Sequence, residues 1–249
     1  MRKGDKRRQD ILFSAESLFY LQGYERTTIE DILEKLNCSK GSFYHHFESK
    51  MQVLEEIASA RIHEGFEEFK RQASTEGLER LNNVLYFASP FSAGDVNFLS
   101  VLLSLFLRQE GVVVQDRMDE KRRELYFPVL QGTLFSLREQ RQAFWHQDAL
   151  PLLLWESHMA LCHAIVLKAC ASLKSGDNMP AACLNLLHAA RFQWERLLDL
   201  PYGSVRMIDA EELVDTLSAA YGRLKHFMPL ADRAMQIEMP GLNASVWDQ

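Results

Sequence analysis

The sequence predicts an all-α protein, with an N-terminal unit of three helices joined to a larger C-terminal helical domain. Three observations predict it. Apolar residues recur at i, i+3, i+4 and i+7 in segment after segment, the spacing of one face of a 3.6-residue helix. Cap and turn residues bound these segments, among them Thr28 with Asp31, Asn37, Ser39, Gly23 and several prolines. With 249 residues, 47% hydrophobic and 25% charged, the chain suits one large or two modest domains with a substantial core.

The first helix is expected over about Lys6 to Gln22, with Ile11, Ala15, Leu18 and Phe19 on one face. It stops at Gly23, where a left-handed C-terminal cap belongs. Thr28 followed three residues later by Asp31 is an acid-bearing capping box, so a second helix begins at about Ile29. Its apolar stripe is Ile29, Ile32, Leu33 and Leu36. Asn37 breaks that pattern, and asparagine is one of the few non-glycine residues that enters left-handed backbone cheaply. Ser39 then caps a third helix, about Lys40 to Phe47. At helical spacing Phe43 and Phe47 point almost together and dock on the stripe of the second helix. That roll turns Gly41, Ser42 and His45 outward. Lys40 and Tyr44 flank the buried edge, where a cation and a phenolic hydroxyl reach phosphate oxygens on either side of a groove. Gly41 costs about 1 kcal/mol of helix propensity relative to alanine, and what it permits is close backbone approach to another molecule. Lys50 opens a fourth helix, whose exposed N–H groups and positive dipole end add to its charge as a phosphate site.

The string S-K-G-S-F-Y-H-H-F-E-S-K, Ser39 to Lys50, resembles the DNA-binding signature of TetR-family transcriptional regulators. The resemblance is specific over about Asp10 to Leu54 and architectural beyond. It implies a homodimer whose helix-turn-helix enters the major groove of an operator, and a C-terminal domain whose small-molecule effector changes the spacing of the two reading heads. Residue by residue, it implies Thr28, Lys40, Tyr44 and Lys50 on phosphates and Gly41, Ser42 and His45 nearest the bases, with the cap Ser39 in the same surface. Asn37 stands where the family more often has glycine. The implied function is a sequence-specific regulator, a repressor released by a small, mainly hydrophobic effector.

Formal net charge is −6, but its distribution suits DNA: residues 1–50 hold 9 basic and 8 acidic side chains, against 19 and 26 in the remainder. Arg2, Lys3, Lys6, Arg7 and Arg8 oppose only Asp5, which reads as a basic arm lying along or into a minor groove. An acidic remainder discourages the wrong face from sticking to DNA.

Residues 51–228 are expected to form the effector-binding and dimerisation domain. The fourth helix runs from Lys50 to about Gln72 and belongs to both domains, a lever by which a distant ligand could move the head. A helix over Thr75 to Ala88 is stopped by Ser89-Pro90. A helix over Val96 to Arg108 is apolar all round, hence buried, and Gly111 closes it. Asp116 to Phe144 carries Pro128 as a kink. The effector candidates are Phe91, Phe106, Tyr126, Phe127, Leu130, Leu134, Trp155 and His158, with the proline-bearing helix as cavity wall by the family resemblance. Two long apolar helices, about Leu150 to Leu173 and Pro180 to Leu198, flank a loop with Gly176. The resemblance implies that such a pair meets its twin in a four-helix bundle. The dimerisation candidates are Leu152, Met159, Ile165, Val166, Leu184, Leu187, Trp194 and Leu198. A last helix, Asp209 to Phe227, is capped by Asp209 and exceeds the usual family length; it covers the dimer bundle or closes the effector cavity. Residues 229–249 are loosely patterned.

Competing chemistry is thin. His158 and Cys162 share a helix face with His163 close by, but two ligands do not make a zinc site. Cys38, Cys162, Cys170 and Cys183 lack a disulfide spacing and read as reduced core residues. No H-E-x-x-H, G-x-S-x-G, P-loop or dinucleotide fingerprint occurs. No catalytic residue, metal or cofactor is therefore expected. The rival reading, an all-helical enzyme or cofactor binder, rests only on the aromatic-rich second domain. Polar residues interrupt the N-terminal segment, against a signal peptide, and the apolar stretches are expected to fall short of a bilayer span. A cytoplasmic protein without a membrane partner is expected.

Overall fold

A computed structural model of the chain describes residues 3–72, 76–92, 95–106, 111–175 and 179–227. Among these residues ten helices and no strand occur: α1 Lys3–Gln22, α2 Ile29–Leu36, α3 Lys40–Tyr44, α4 Lys50–Gln72, α5 Gly77–Ala88, α6 Val96–Phe106, α7 Gly111–Glu139, α8 Leu150–Ser175, α9 Met179–Leu197 and α10 Ala210–Phe227. Arg2, the side chain of Lys3, Gly176 and the tail 229–249 lie outside the described residues.

The head is α1 to α3 packed on the first turns of α4. Its core is Ile11, Ala15, Phe19, Ile32, Phe43, Phe47, Val53 and Leu54, none more than 1% exposed. α4 then continues into the second domain. There Phe66 and Phe69 meet Tyr126 of α7 with ring centroids 5.0 and 6.0 Å apart.

Three boundaries differ from expectation, each for a local reason. α3 ends at Tyr44, because the Phe43 carbonyl accepts both the His46 and the Phe47 N–H (2.9 Å each) and tightens the last turn. Gly111 opens α7 instead of closing α6: a Cβ there would lie 2.3 Å from the Leu105 carbonyl oxygen, so only glycine lets α7 start against the end of α6. And α7, with Pro128 inside it, ends at Glu139 and not at Phe144, because the Leu137 carbonyl accepts both the Gln142 and the Ala143 N–H (2.8 and 3.3 Å) and closes the last turn.

The second domain packs α5 and α4 on α7, α8 on α9, and α10 on α6 and α9. Six dimerisation candidates require correction. Met159, Ile165, Val166, Leu187, Trp194 and Leu198 are all buried within the one subunit, so their apolar faces are spent on the subunit's own core. Leu184 is half-buried and Leu152 is exposed. Among the described residues, α8 and α9 leave outside the candidate Leu152 and also Leu153, Phe192 and Leu197, with Phe144 beside them through its N–H bond to the Leu198 carbonyl (2.9 Å).

Leu150–Ser172 is, by length and composition, long and apolar enough to cross a membrane, contrary to expectation; half of it is buried here, in the manner of a core helix. In its described part the extension packs chiefly on α6 and also on α9. α10 begins where the Asp209 carboxylate accepts the Glu211 and Glu212 N–H groups, packs along α6, and reaches the head through Arg223 Nη2, 3.2 Å from the Tyr20 carbonyl.

Candidate nucleic-acid interface

Local capping fixes the turn between α2 and α3. Thr28 Oγ1 accepts the Asp31 N–H (3.1 Å) while the Asp31 carboxylate accepts the Thr28 N–H (2.8 Å), closing the capping box. The bond to the Thr28 N–H holds the Asp31 carboxyl below its ordinary pKa. Asn37 takes φ 47°, ψ 53°, and the next N–H, of Cys38, bonds the Leu33 carbonyl at 3.0 Å. Ser39 Oγ accepts the Ser42 N–H at 3.4 Å and starts α3.

Phe43 (0% exposed) and Phe47 (1%) then set the roll of α3, their ring centroids 5.8 Å apart. Lys40, Gly41, Tyr44 and His45 face solvent on the outer side, with Ser42 half-buried among them and Thr28 and Ser39 exposed at the two cap positions. Tyr44 is 55% exposed, unusual for so large a ring in a short helix against a core. At Gly41 an added Cβ would meet nothing nearer than Ser39 Oγ at 3.9 Å, so nothing within the subunit demands a glycine there. Lys40 pairs with Glu30 across the turn at 2.5 Å, both side chains more than half exposed. An exposed pair of this kind contributes little and exchanges readily for another anion.

Two expectations need correcting. Lys50 Nζ donates to the Tyr24 and Thr27 carbonyls (2.7 and 2.8 Å) and lies 4.1 Å from the centre of the Tyr24 ring. It pins the loop between α1 and α2, so its charge is engaged inside the head. The basic segment is not an extended arm in its described part: from Lys3 onward it is the first turns of α1. Lys6 is exposed, whereas Arg8 pairs with Glu56 and lies 5.3 Å over the Phe47 ring.

In the second domain, Phe91, Tyr126, Leu130, Leu134, Trp155 and His158 are buried and Phe106 and Phe127 half-buried, with the Phe127 ring tilted against Trp155 (centroids 6.0 Å apart). A groove of about 530 Å³ runs between α5 and α7, beside Pro128, but its walls are Glu76, Gly77, Arg80, Val129, Gly132, Thr133, Ser136 and Gln140, none of them an effector candidate. Sequence reasoning missed Arg122. It is 7% exposed, on the inward stripe of α7 that Val114, Met118, Tyr126, Leu130 and Leu134 form at four-residue spacing. The legible sign was a charge falling in register with that stripe. Cys162 is buried one turn beyond His158, and His163 pairs with Asp119 at 2.8 Å. Cys183 lies apart, its thiol on the Ile165 carbonyl.

Burial, with the Arg122 charge adding to it, pushes the His158 imidazole down to about 4, against an ordinary 6.5. A folded pKa below the unfolded one means a contribution fully present above pH 6.5 and lost as pH falls from there through 4. At about 1.4 kcal/mol per unit, wild type is expected to lose about 3 kcal/mol over that window through this residue. Urea unfolding of wild type and His158→Gln at pH 7 and pH 4 measures it; equal losses in the two proteins would refute it.

Residues 11–57 match the family model described as bacterial regulatory proteins, tetR family. Over 85 residues, 33% of this chain, the sequence is 34% identical to the HTH-type transcriptional repressor KstR2 of Mycolicibacterium smegmatis, 41% of which is covered. It is 28% identical over 131 residues, 51% of this chain and 64% of the relative, to the protein of the same name from Rhodococcus jostii. The chain thus spans less than two thirds of either relative. Among solved structures, a TetR-family transcriptional regulator from Pectobacterium atrosepticum superposes with a TM-score of 0.52 at 18% identity, over 81% of this chain and 99% of that one, a likeness of fold.

Proposed function

Because the chain belongs, through residues 11–57, to the tetR family of bacterial regulatory proteins, we propose that it is a dimeric, operator-binding repressor whose second domain takes a small effector. The observation that carries this reading is the outward face of α3: a glycine that the fold does not require, between an exposed Tyr44 and a loosely paired Lys40. Ser42 and His45 read base edges in the major groove, Gly41 lets the backbone of α3 come close to them, and Thr28, Ser39, Lys40 and Tyr44 hold the flanking phosphates. Lys6 adds charge from the first turn of α1.

A second head is supplied by a second copy of the chain. The apolar side chains left outside on α8 and α9, Leu152, Leu153, Phe192 and Leu197, support pairing through that face.

The route from effector to head is short. Tyr126 of α7 packs on Phe66 and Phe69 of α4, and α4 begins under α3. A second tie joins the domains: Arg61 of α4 holds Glu16 of α1 at 2.7 Å and stands 3.6 Å from Asp95, and the Tyr20 hydroxyl donates to Glu16 at 2.9 Å. An effector that prefers one packing of α7 on α4 therefore shifts the population of head positions, by as much as its affinity differs between the two.

Duplexes selected from a random pool, then titrated at several salt concentrations, test the reading. Binding of two protomers per duplex is expected, with log K falling steeply, about 0.9 for each neutralised phosphate per decade of salt. Failure to retain any duplex at low salt, or affinity indifferent to salt, would refute it.

A further inference from the structure

The inward side of α7 carries a cation with too little to neutralise it. Arg122 is 7% exposed, yet among the described residues its guanidinium makes no hydrogen bond to protein, and its one ion pair, to Asp119, is 3.8 Å long. Asp119 also lies 2.8 Å from His163 Nε2. One turn further along α7, on the same inward stripe, Tyr126 is 1% exposed. Across the α7–α8 interface His158 is 2% exposed, with the Leu85 backbone beside it. The approach of His163 to Asp119 (2.8 Å), the Arg123–Glu156 pair (3.0 Å) and the Phe127–Trp155 ring contact (6.0 Å) set α7 against α8 and bracket Arg122 and Tyr126 on one helix and His158 on the other, which places the three in one neighbourhood. Taking a charge out of water costs several kcal/mol unless it is paired and hydrogen-bonded. Here a guanidinium, a phenol and an imidazole bring donors together, a set that suits an acceptor carrying negative charge.

We infer that Arg122, Tyr126 and His158 form the anchor for the carboxylate of a small monoanionic ligand whose remaining body is apolar. The guanidinium offers parallel N–H groups that match a carboxylate bidentately. The nearby Leu130, Phe127 and Trp155 supply apolar surface for the body. A single positive charge favours a monoanion, since a dianion would leave a charge unbalanced in a low-dielectric interior. The inference rests on the reading that the second domain holds an effector, and it names that effector's chemical class. It also gives the coupling a starting point, because Tyr126 touches both the anchor and α4.

The test needs no DNA. Trp194 stands 6.4 Å from His158 and Trp155 lies on the same helix, so tryptophan fluorescence reports occupancy. Purified full-length protein is titrated with 4-phenylbutyrate and octanoate, with the matching alcohols 4-phenylbutan-1-ol and octan-1-ol, and with inorganic phosphate. At least one carboxylate is expected to bind about 10-fold or more tightly than its alcohol, and Arg122→Met to abolish that preference. Arg122→Lys, which keeps the charge and loses the bidentate fork, should keep only part of it. Tyr126→Phe, which preserves the packing on α4, should weaken the carboxylate a few-fold and leave the alcohol unchanged, and it serves if Arg122→Met does not fold. Alcohols binding as well as their acids, an undiminished preference in Arg122→Met or Tyr126→Phe, phosphate binding more tightly than either acid, or no carboxylate binding at millimolar concentration would each overturn the assignment. Adding the same compounds to a protein–duplex complex separates the two readings. Arg122-dependent binding that releases no duplex leaves the anchor standing and sinks the effector role. Release by neutral compounds alone does the reverse.

Discussion

Replacing Phe43 with alanine is expected to abolish operator binding by unfolding the head. Phe43 is fully buried between α2, α3 and Phe47, in contact with nothing outside the subunit. Truncating a buried phenylalanine costs about 3–5 kcal/mol, through lost transfer free energy and the cavity left behind. That is comparable with the whole stability of many domains, about 5–15 kcal/mol. The head is small, and its five-residue α3 has little to hold it beyond these two phenylalanines. Urea unfolding followed by circular dichroism measures the loss, and duplex titration measures its consequence. Phe43→Leu, which keeps most of the volume, should retain most of both. Alanine at this position with unchanged duplex affinity would mean that α3 is not oriented by its buried side.

Gly41→Leu is expected to do the opposite to the fold and nearly the same to function. An added Cβ meets only Ser39 Oγ at 3.9 Å, and a leucine removes the roughly 1 kcal/mol helix penalty of glycine, so the free protein should be as stable as wild type or more so. Against a duplex, the branched side chain occupies the space into which the groove wall must fit. Overpacking of a close interface costs about 1–3 kcal/mol, so affinity should fall roughly 10- to 100-fold for every sequence in the pool. The two substitutions sit two residues apart on one short helix, which makes the contrast a test of facing and not of helix integrity. A Gly41→Leu protein that binds as well as wild type would place the interface elsewhere.

The features that the sequence made legible are those written in local spacing. The capping box at Thr28 and Asp31, the left-handed Asn37, the cap at Ser39 and the paired Phe43 and Phe47 all depend on residues within one or two turns of each other, and the structure has each as expected. What was not legible depends on distant partners. Lys50 looks like a phosphate ligand until the carbonyls of Tyr24 and Thr27, more than twenty residues earlier, close around it. Met159, Leu187 and Trp194 belong to helices apolar on several sides, and spacing alone does not say which side a partner subunit receives. Gly111 illustrates the same limit at one residue: glycine marks a stop or a close crossing equally well, and the Leu105 carbonyl decides between them. Arg122 was passed over because arginine is ordinarily a surface residue, although its register with Met118 and Tyr126 put it inside.

The measurement that bears most directly on the orientation of α3 is selection from a random duplex pool, carried out in parallel with wild type, Ser42→Ala and His45→Ala. If these side chains read base edges, each variant should select a changed consensus at one or two positions while the salt dependence stays the same. An identical consensus from all three proteins would contradict the account.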